Sequence, residues 1–124
     1  MDRDSNEYKE WLASISVGDQ VVCRVTVGFE RVNQIIHIER ETPKRWVLPY
    51  HGGQVDKDNG KVLGTYSEYI MPVTDEVVAE VRDRNARRRV SRYGKMLENK
   101  CLKMPIHQVN EINNFLKGIL EDAD

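Results

Sequence analysis

The sequence lacks the features that place a protein in a membrane or outside the cell. No apolar run approaches the ~20 residues that cross a bilayer. The first residues are charged, without the apolar centre of a signal peptide. Its two cysteines, Cys23 and Cys101, show no C-x-x-C spacing, which favours reduced structural thiols. We therefore expect a cytoplasmic protein with no membrane partner.

Catalytic and cofactor motifs are also missing. The sequence contains no phosphate-cradling G-x-x-x-x-G-K-[ST], no H-E-x-x-H helix and no G-x-S-x-G elbow. The histidines His37, His51 and His107 are isolated from other metal-ligating side chains. The start of a calcium loop at Asp56 has Ser67 at its twelfth position, where an EF-hand needs Glu. We expect no metal, no cofactor and no enzymatic activity.

What the sequence does contain is a series of short β-rich runs. Apolar and polar side chains alternate from Val21 to Val27, which is the pattern of a half-buried strand. Further strands are predicted at 32–40, 45–48, around Val55, at 61–63 and at 66–71, each bounded by Gly, Pro or Asn-Gly turns. Five or six short strands within about 55 residues are typical of a small antiparallel β-barrel.

Helical patterns flank these strands. Residues 7–12 fit one or two turns that would pack through Trp11 and Leu12. Thr74 is a good N-cap for a long charged helix, which Gly94 could end early. The apolar stripe of this helix shifts by roughly a quarter turn near Asn85, which predicts a bend or a change of packing partner.

A final helix is predicted to begin at Pro105, with an apolar face made of Ile106, Val109, Ile112, Leu116 and Leu120. The 124 residues then make one α+β domain: a helical segment at 1–16, the barrel at 17–73 and two C-terminal helices within 74–124. Phe115 and Ile119 widen the apolar face of the last helix. Packing within the chain and a homodimer through this helix both remain open.

The positions of the turn glycines and the spacing of the strands form a pattern that can be compared with known protein families. Val17-Gly18-Asp19-x-Val21, Asn59-Gly60-x-x-x-Gly64 and the 70–75 segment IMPVTD lead into the charged helix. This pattern resembles the small SH3-like β-barrel proteins encoded by phages, prophages and bacterial mobile elements. The resemblance implies that barrel fold and a phage-like setting. Those proteins have no assigned activity, so no catalytic residue carries over, but such barrels commonly bind nucleic acid or proteins.

The first candidate binding surface is a group of basic side chains on one side of the charged helix, here called the basic row: Arg84, Arg87, Arg88, Arg92 and Lys95. All but Arg87 fall within roughly 80° of one another on a helix of 100° per residue. Arginine forks bind phosphates and carboxylates, so a nucleic-acid backbone or an acidic protein patch would fit. The structural alternative pairs the row with acids four residues earlier, or with the acidic β-rich part.

The second candidate is a basic-aromatic strand formed by Lys44, Arg45, Trp46 and Tyr50. Interleaved cations and rings are what single-strand nucleic-acid binders use for backbone contact and base stacking. The alternative is that Trp46 belongs to the core. The near-zero net charge, −1, argues against a dedicated nucleic-acid binder.

These observations predict a phage-like accessory protein that binds a host macromolecule without catalysis. The leading hypothesis is a host protein as partner, for example a defence factor or enzyme that is inhibited in the host cytoplasm. The alternative is a nucleic-acid-binding module that uses the basic row and the basic-aromatic strand. A further alternative is a structural or assembly protein of a phage particle.

Overall fold

A computed structural model describes residues 2, 4–49, 53–65 and 68–121 as an α+β fold. In chain order its elements are α1 (Asn6–Ser14), β1 (Gln20–Val27), β2 (Glu30–His37), β3 (Arg40–Glu41), β4 (Arg45–Val47), β5 (Gln54–Asp56), α2 (Asp75–Lys100) and α3 (Ile106–Leu120). Within these ranges no helix is long and apolar enough to cross a membrane.

The prediction of a closed SH3-like barrel is wrong. Strands β1 and β2 form a two-stranded antiparallel sheet, and β3, β4 and β5 form a separate three-stranded one. In the described residues, the strands expected at 61–63 and 66–71 are reduced to single bridges: Val55–Val62, Lys61–Tyr69 and Val22–Met71. Gly60 and Gly64, both at positive φ, interrupt the returning chain before a longer ladder can form.

The order of helices also differs from the predicted class, because α1 precedes the strands as a full helix of nine residues. Ser5 caps its first turn by accepting a hydrogen bond from the Tyr8 N–H at 3.1 Å. The helix packs chiefly through Tyr8 and Leu12, while Trp11 is only partly buried. A short helix of this kind gains its stability from packing, as the sequence indicated.

Strands β1 and β2 pair over their full lengths, from Gln20 opposite His37 to Val27 opposite Glu30. Val21 and Cys23 are buried as predicted and Val25 is half-exposed, but the predicted alternation is wrong at Val22, which is buried as well. Burial therefore falls along the hairpin toward its turn, where Phe29 is fully exposed. The base of the hairpin is anchored in the core and its tip projects into solvent.

The start of α2 after Thr74 is confirmed, and α3 begins one residue later than predicted. The Thr74 hydroxyl accepts a hydrogen bond from the Val77 N–H at 3.3 Å, and α2 then continues through Gly94 to Lys100. Pro105 precedes the first residue of α3. The chain divides into two compact units, Met1–Arg84 and Asn85–Asp124, at the point where the apolar stripe of α2 changes direction.

Tyr8 joins α1 to the β-rich part of the first unit. Its side chain is 0% exposed, and its hydroxyl donates a hydrogen bond of 2.6 Å to the Ile70 carbonyl. Gly60 lies against this ring at φ +75°, where a Cβ would collide with the Tyr8 hydroxyl and lie 3.1 Å from Leu12 Cδ2. Glycine is required here both for backbone conformation and for space.

Gly60→Ala should lower the free energy of unfolding of the first unit by about 3 kcal/mol, since left-handed strain and overpacking of a buried ring add together. Gly64→Ala is the matched control, because Gly64 has φ +83° but, beyond its chain neighbours, no atom of the described residues lies within 4 Å of the point where a Cβ would be. It should cost only about 1–2 kcal/mol, from strain alone. Both tryptophans lie in the first unit, so tryptophan fluorescence during urea unfolding measures this difference. If both variants lost the same free energy of unfolding, the close contact between Gly60 and Tyr8 would be contradicted.

Candidate binding surfaces

Arg84 is not a free member of the basic row. Its guanidinium donates a hydrogen bond of 2.5 Å to the Asn33 carbonyl on β2 and lies 3.9 Å from the Glu80 carboxylate. The Asn33 amide in turn donates to Glu80 at 3.2 Å. This triangle fastens the first part of α2 to the outer edge of β2. At this position the basic row therefore contacts the β-rich part of its own chain and the acid four residues earlier.

The other four residues of the basic row belong to the second unit, and their side chains are exposed: Arg87, Arg88, Arg92 and Lys95. The Arg92 guanidinium lies 5.3 Å from the centre of the neighbouring Tyr93 ring. Arg88, Arg92 and Lys95 have no carboxylate within 4 Å among the described residues. Their role in binding stays a prediction.

The basic-aromatic strand is divided between core and surface. Trp46 is 6% exposed and belongs to the core, and the Lys57 ammonium lies 4.3 Å from the centre of its ring. Arg45 is half-buried, with its guanidinium 3.6 Å from the Asp56 carboxylate, whereas Lys44 is exposed. Tyr50 lies outside the described residues. A base cannot stack on the Trp46 ring in this arrangement.

A cleft that the sequence did not indicate opens beside β1. It has a volume of about 610 Å³. Its lining comes from the outer half of β1, from β2 and from the loops after β4 and β5: Cys23, Arg24, Val25, Thr26, Arg31, Gln34, Ile35, Ile36, His37, Pro49, Gly53, Val62, Leu63 and Thr65. Apolar side chains and cations both reach this space.

The outer edge of β1, whose residues Arg24 and Thr26 line part of the cleft, is only partly covered in the described residues. Val22 and Met71 exchange two hydrogen bonds, of 2.8 and 3.0 Å, on the side of β1 that faces away from β2. Because the direction of backbone groups alternates along a strand, the N–H and C=O groups of Arg24 and Thr26 point to this same side. In the described parts of the chain, no backbone group pairs with them there.

Among the described residues, backbone pairing on this edge of β1 ends at Met71. Continued antiparallel pairing would bring Tyr69 opposite Arg24, but Tyr69 bridges to Lys61 instead. The one sequence signal for the gap was Gly64, which interrupts the predicted returning strand. Nothing in the pattern of β1 itself distinguishes its covered half from its uncovered half.

Cys23 lines this cleft, and its thiol stays protonated. Burial raises the pKa of its thiol, the Glu68 carboxylate raises it further, and the Arg31 guanidinium opposes both. Arg31 and Glu68 form an ion pair of 2.5 Å. A neutral thiol is a poor nucleophile and a poor metal ligand. Among the described residues no group of three potential metal ligands occurs.

The comparisons with known proteins add no relative. No protein-family model, curated protein or solved structure matches this chain. The resemblance to phage-encoded proteins therefore stays a prediction from sequence. The function must be argued from the surfaces themselves.

Arg84→Ala should lower the free energy of unfolding of the first unit by about 1–3 kcal/mol, because it removes a charged hydrogen bond to the Asn33 carbonyl. Arg88→Ala is the matched control on the same helix and should change stability by less than about 0.5 kcal/mol. Urea unfolding followed by tryptophan fluorescence compares the two variants. If Arg84→Ala matched the control, Arg84 would not be an anchor.

Proposed function

We propose that this protein is a non-catalytic binding protein that accepts an extended segment of a partner protein as an added strand on the outer half of β1. The observation that carries the proposal is the backbone edge at Arg24 and Thr26, which no backbone group of the described residues pairs with and which borders an open cleft. Main-chain hydrogen bonds along such an edge supply affinity, and a neighbouring cleft that receives alternate side chains supplies specificity.

The chemistry of the cleft indicates what the added segment carries. Val25, Ile36 and Leu63 offer apolar contacts, and Arg24 offers an exposed cation at the edge. A segment with alternating apolar and acidic side chains would match this lining. The outer half of β1 has room for a partner strand of only about four or five residues. We therefore expect a short linear segment as the bound element.

An uncovered strand edge favours a protein as partner. Edge N–H and C=O groups pair with another polypeptide backbone, which a nucleic acid does not have. Soluble proteins commonly protect such edges, because an open edge invites association with other chains. In the phage-like setting that the resemblance implies, the partner would be a host protein in the host cytoplasm, inhibited by occupation of one of its extended segments.

Nucleic-acid binding is the second candidate, and a different observation favours it. Arg88, Arg92 and Lys95 are exposed on one side of α2 without a carboxylate partner in the described residues. Such a row can follow a phosphate backbone, and its affinity would fall steeply with salt. The net charge of −1 and the burial of Trp46 make this the weaker candidate.

Thr26→Pro should abolish partner binding, because proline removes the N–H on the side of β1 that faces away from β2 while leaving the pairing of β1 with β2 intact. Thr26→Val is the matched control: it also loses the hydroxyl but keeps this N–H. Tagged wild-type protein and both variants are used to capture proteins from a bacterial lysate, with and without nuclease. We expect one stoichiometric protein, retained after nuclease by wild type and Thr26→Val and lost from Thr26→Pro.

Two results would contradict the proposal. Equal capture by Thr26→Pro would show that the edge of β1 is not the binding surface. Capture that disappears with nuclease, and that is lost when Arg88, Arg92 and Lys95 are replaced by alanine, would instead support the nucleic-acid candidate. Circular dichroism and tryptophan fluorescence of Thr26→Pro establish that the variant is folded before either comparison.

A further inference from the structure

The second unit leaves a large apolar surface exposed. Its helices α2 and α3 are joined by a short 3₁₀ turn at Cys101–Lys103, and a groove of about 380 Å³ lies between them. Of the apolar side chains lining this groove, Leu97, Val109, Ile112 and Leu116 are only half-buried. None of the described residues of this unit is fully buried.

Each helix carries exposed apolar residues beside those that line the groove, here called its flank. Val90, Tyr93 and Met96 lie on α2, where Val90 is 72% exposed. Phe115, Ile119 and Leu120 lie on α3, where Phe115 is 67% exposed. Two helices in contact bury only one seam, and a unit of about 40 residues seldom makes a sufficient core by itself. We therefore expect another protein surface to cover these flanks.

We propose that a second copy of this chain covers these flanks, so that α2 and α3 of two molecules form a four-helix bundle. A symmetric dimer uses the same patch on both molecules, so each flank is covered by its counterpart. A fully exposed large side chain offers roughly 150–200 Å². Six partly exposed ones then offer several hundred Å², the order of the ~800 Å² that each partner contributes to a stable interface.

The charges of the unit fit a second copy. Residues 85–97 carry five basic side chains and no acidic one, whereas the acidic Glu111 and Glu121 lie on α3 and at its C-terminal end. A twofold axis can bring the basic stretch of one molecule to the acidic end of the other, and does so twice. An unrelated partner would need both acidic and basic side chains placed opposite the basic and acidic ones of this unit. This inference does not depend on the proposed strand-addition site, which lies in the first unit.

Sedimentation equilibrium of the full chain tests the proposal. At concentrations on the order of 100 µM, wild type should have twice the 14.4 kDa mass of one chain and should dissociate on dilution. The double variant Phe115→Glu/Ile119→Glu should have the mass of one chain under the same conditions. Asn110→Glu, an exposed position on a different side of α3, is the control that adds charge without touching the flank and should remain a dimer.

A wild-type mass of 14.4 kDa throughout the concentration range would overturn the proposal, and this result does not depend on whether any variant folds. A double variant that stays dimeric would also overturn it, because the contact would then lie elsewhere. A mass that rises above that of two copies would also overturn the proposal, because it would indicate an open assembly, as expected of a structural protein, and not a closed dimer.

Discussion

Two hydrogen bonds between Val22 and Met71 set how far the outer edge of β1 is covered. They bring the segment after Ile70 against the first half of the strand, beside the core that Tyr8 closes. Beyond this pair Tyr69 bridges to Lys61, and among the described residues no backbone group pairs with the outer edge of the second half of β1. A closed barrel would need that missing contact. The cleft lies where it is missing.

The helix α2 likewise has packing contacts along only part of its surface. Its first part is fastened to β2 by the hydrogen bond from Arg84 to the Asn33 carbonyl, and the first unit ends at this residue. Beyond Asn85, the apolar side chains of α2 share a groove with α3. One helix thus contributes to two packing arrangements. Within the second unit, the residues of α2 outside this groove include both exposed cations and exposed apolar side chains.

Local features of the fold could be predicted from the sequence because local chemistry determines them. The strand β1, the cap at Thr74, Pro105 before α3 and the positive φ of Gly60 all follow from residues close together in the chain. Closure of the barrel could not be predicted, since it depends on whether Tyr69 pairs with Arg24 or with Lys61. For the same reason the cleft was missed. The anchoring role of Arg84 likewise depends on a residue 51 positions away.

Hydrogen exchange of individual backbone amides, followed by NMR in the free protein, tests most directly that half of this edge is open. Val22, Arg24 and Thr26 present their N–H groups to the same side of β1, and only Val22 has a partner in the described chain. The account predicts slow exchange at Val22 and exchange faster by at least about tenfold at Arg24 and Thr26. Equal protection at all three positions would mean that the edge is already covered, and would contradict the proposed strand-addition site.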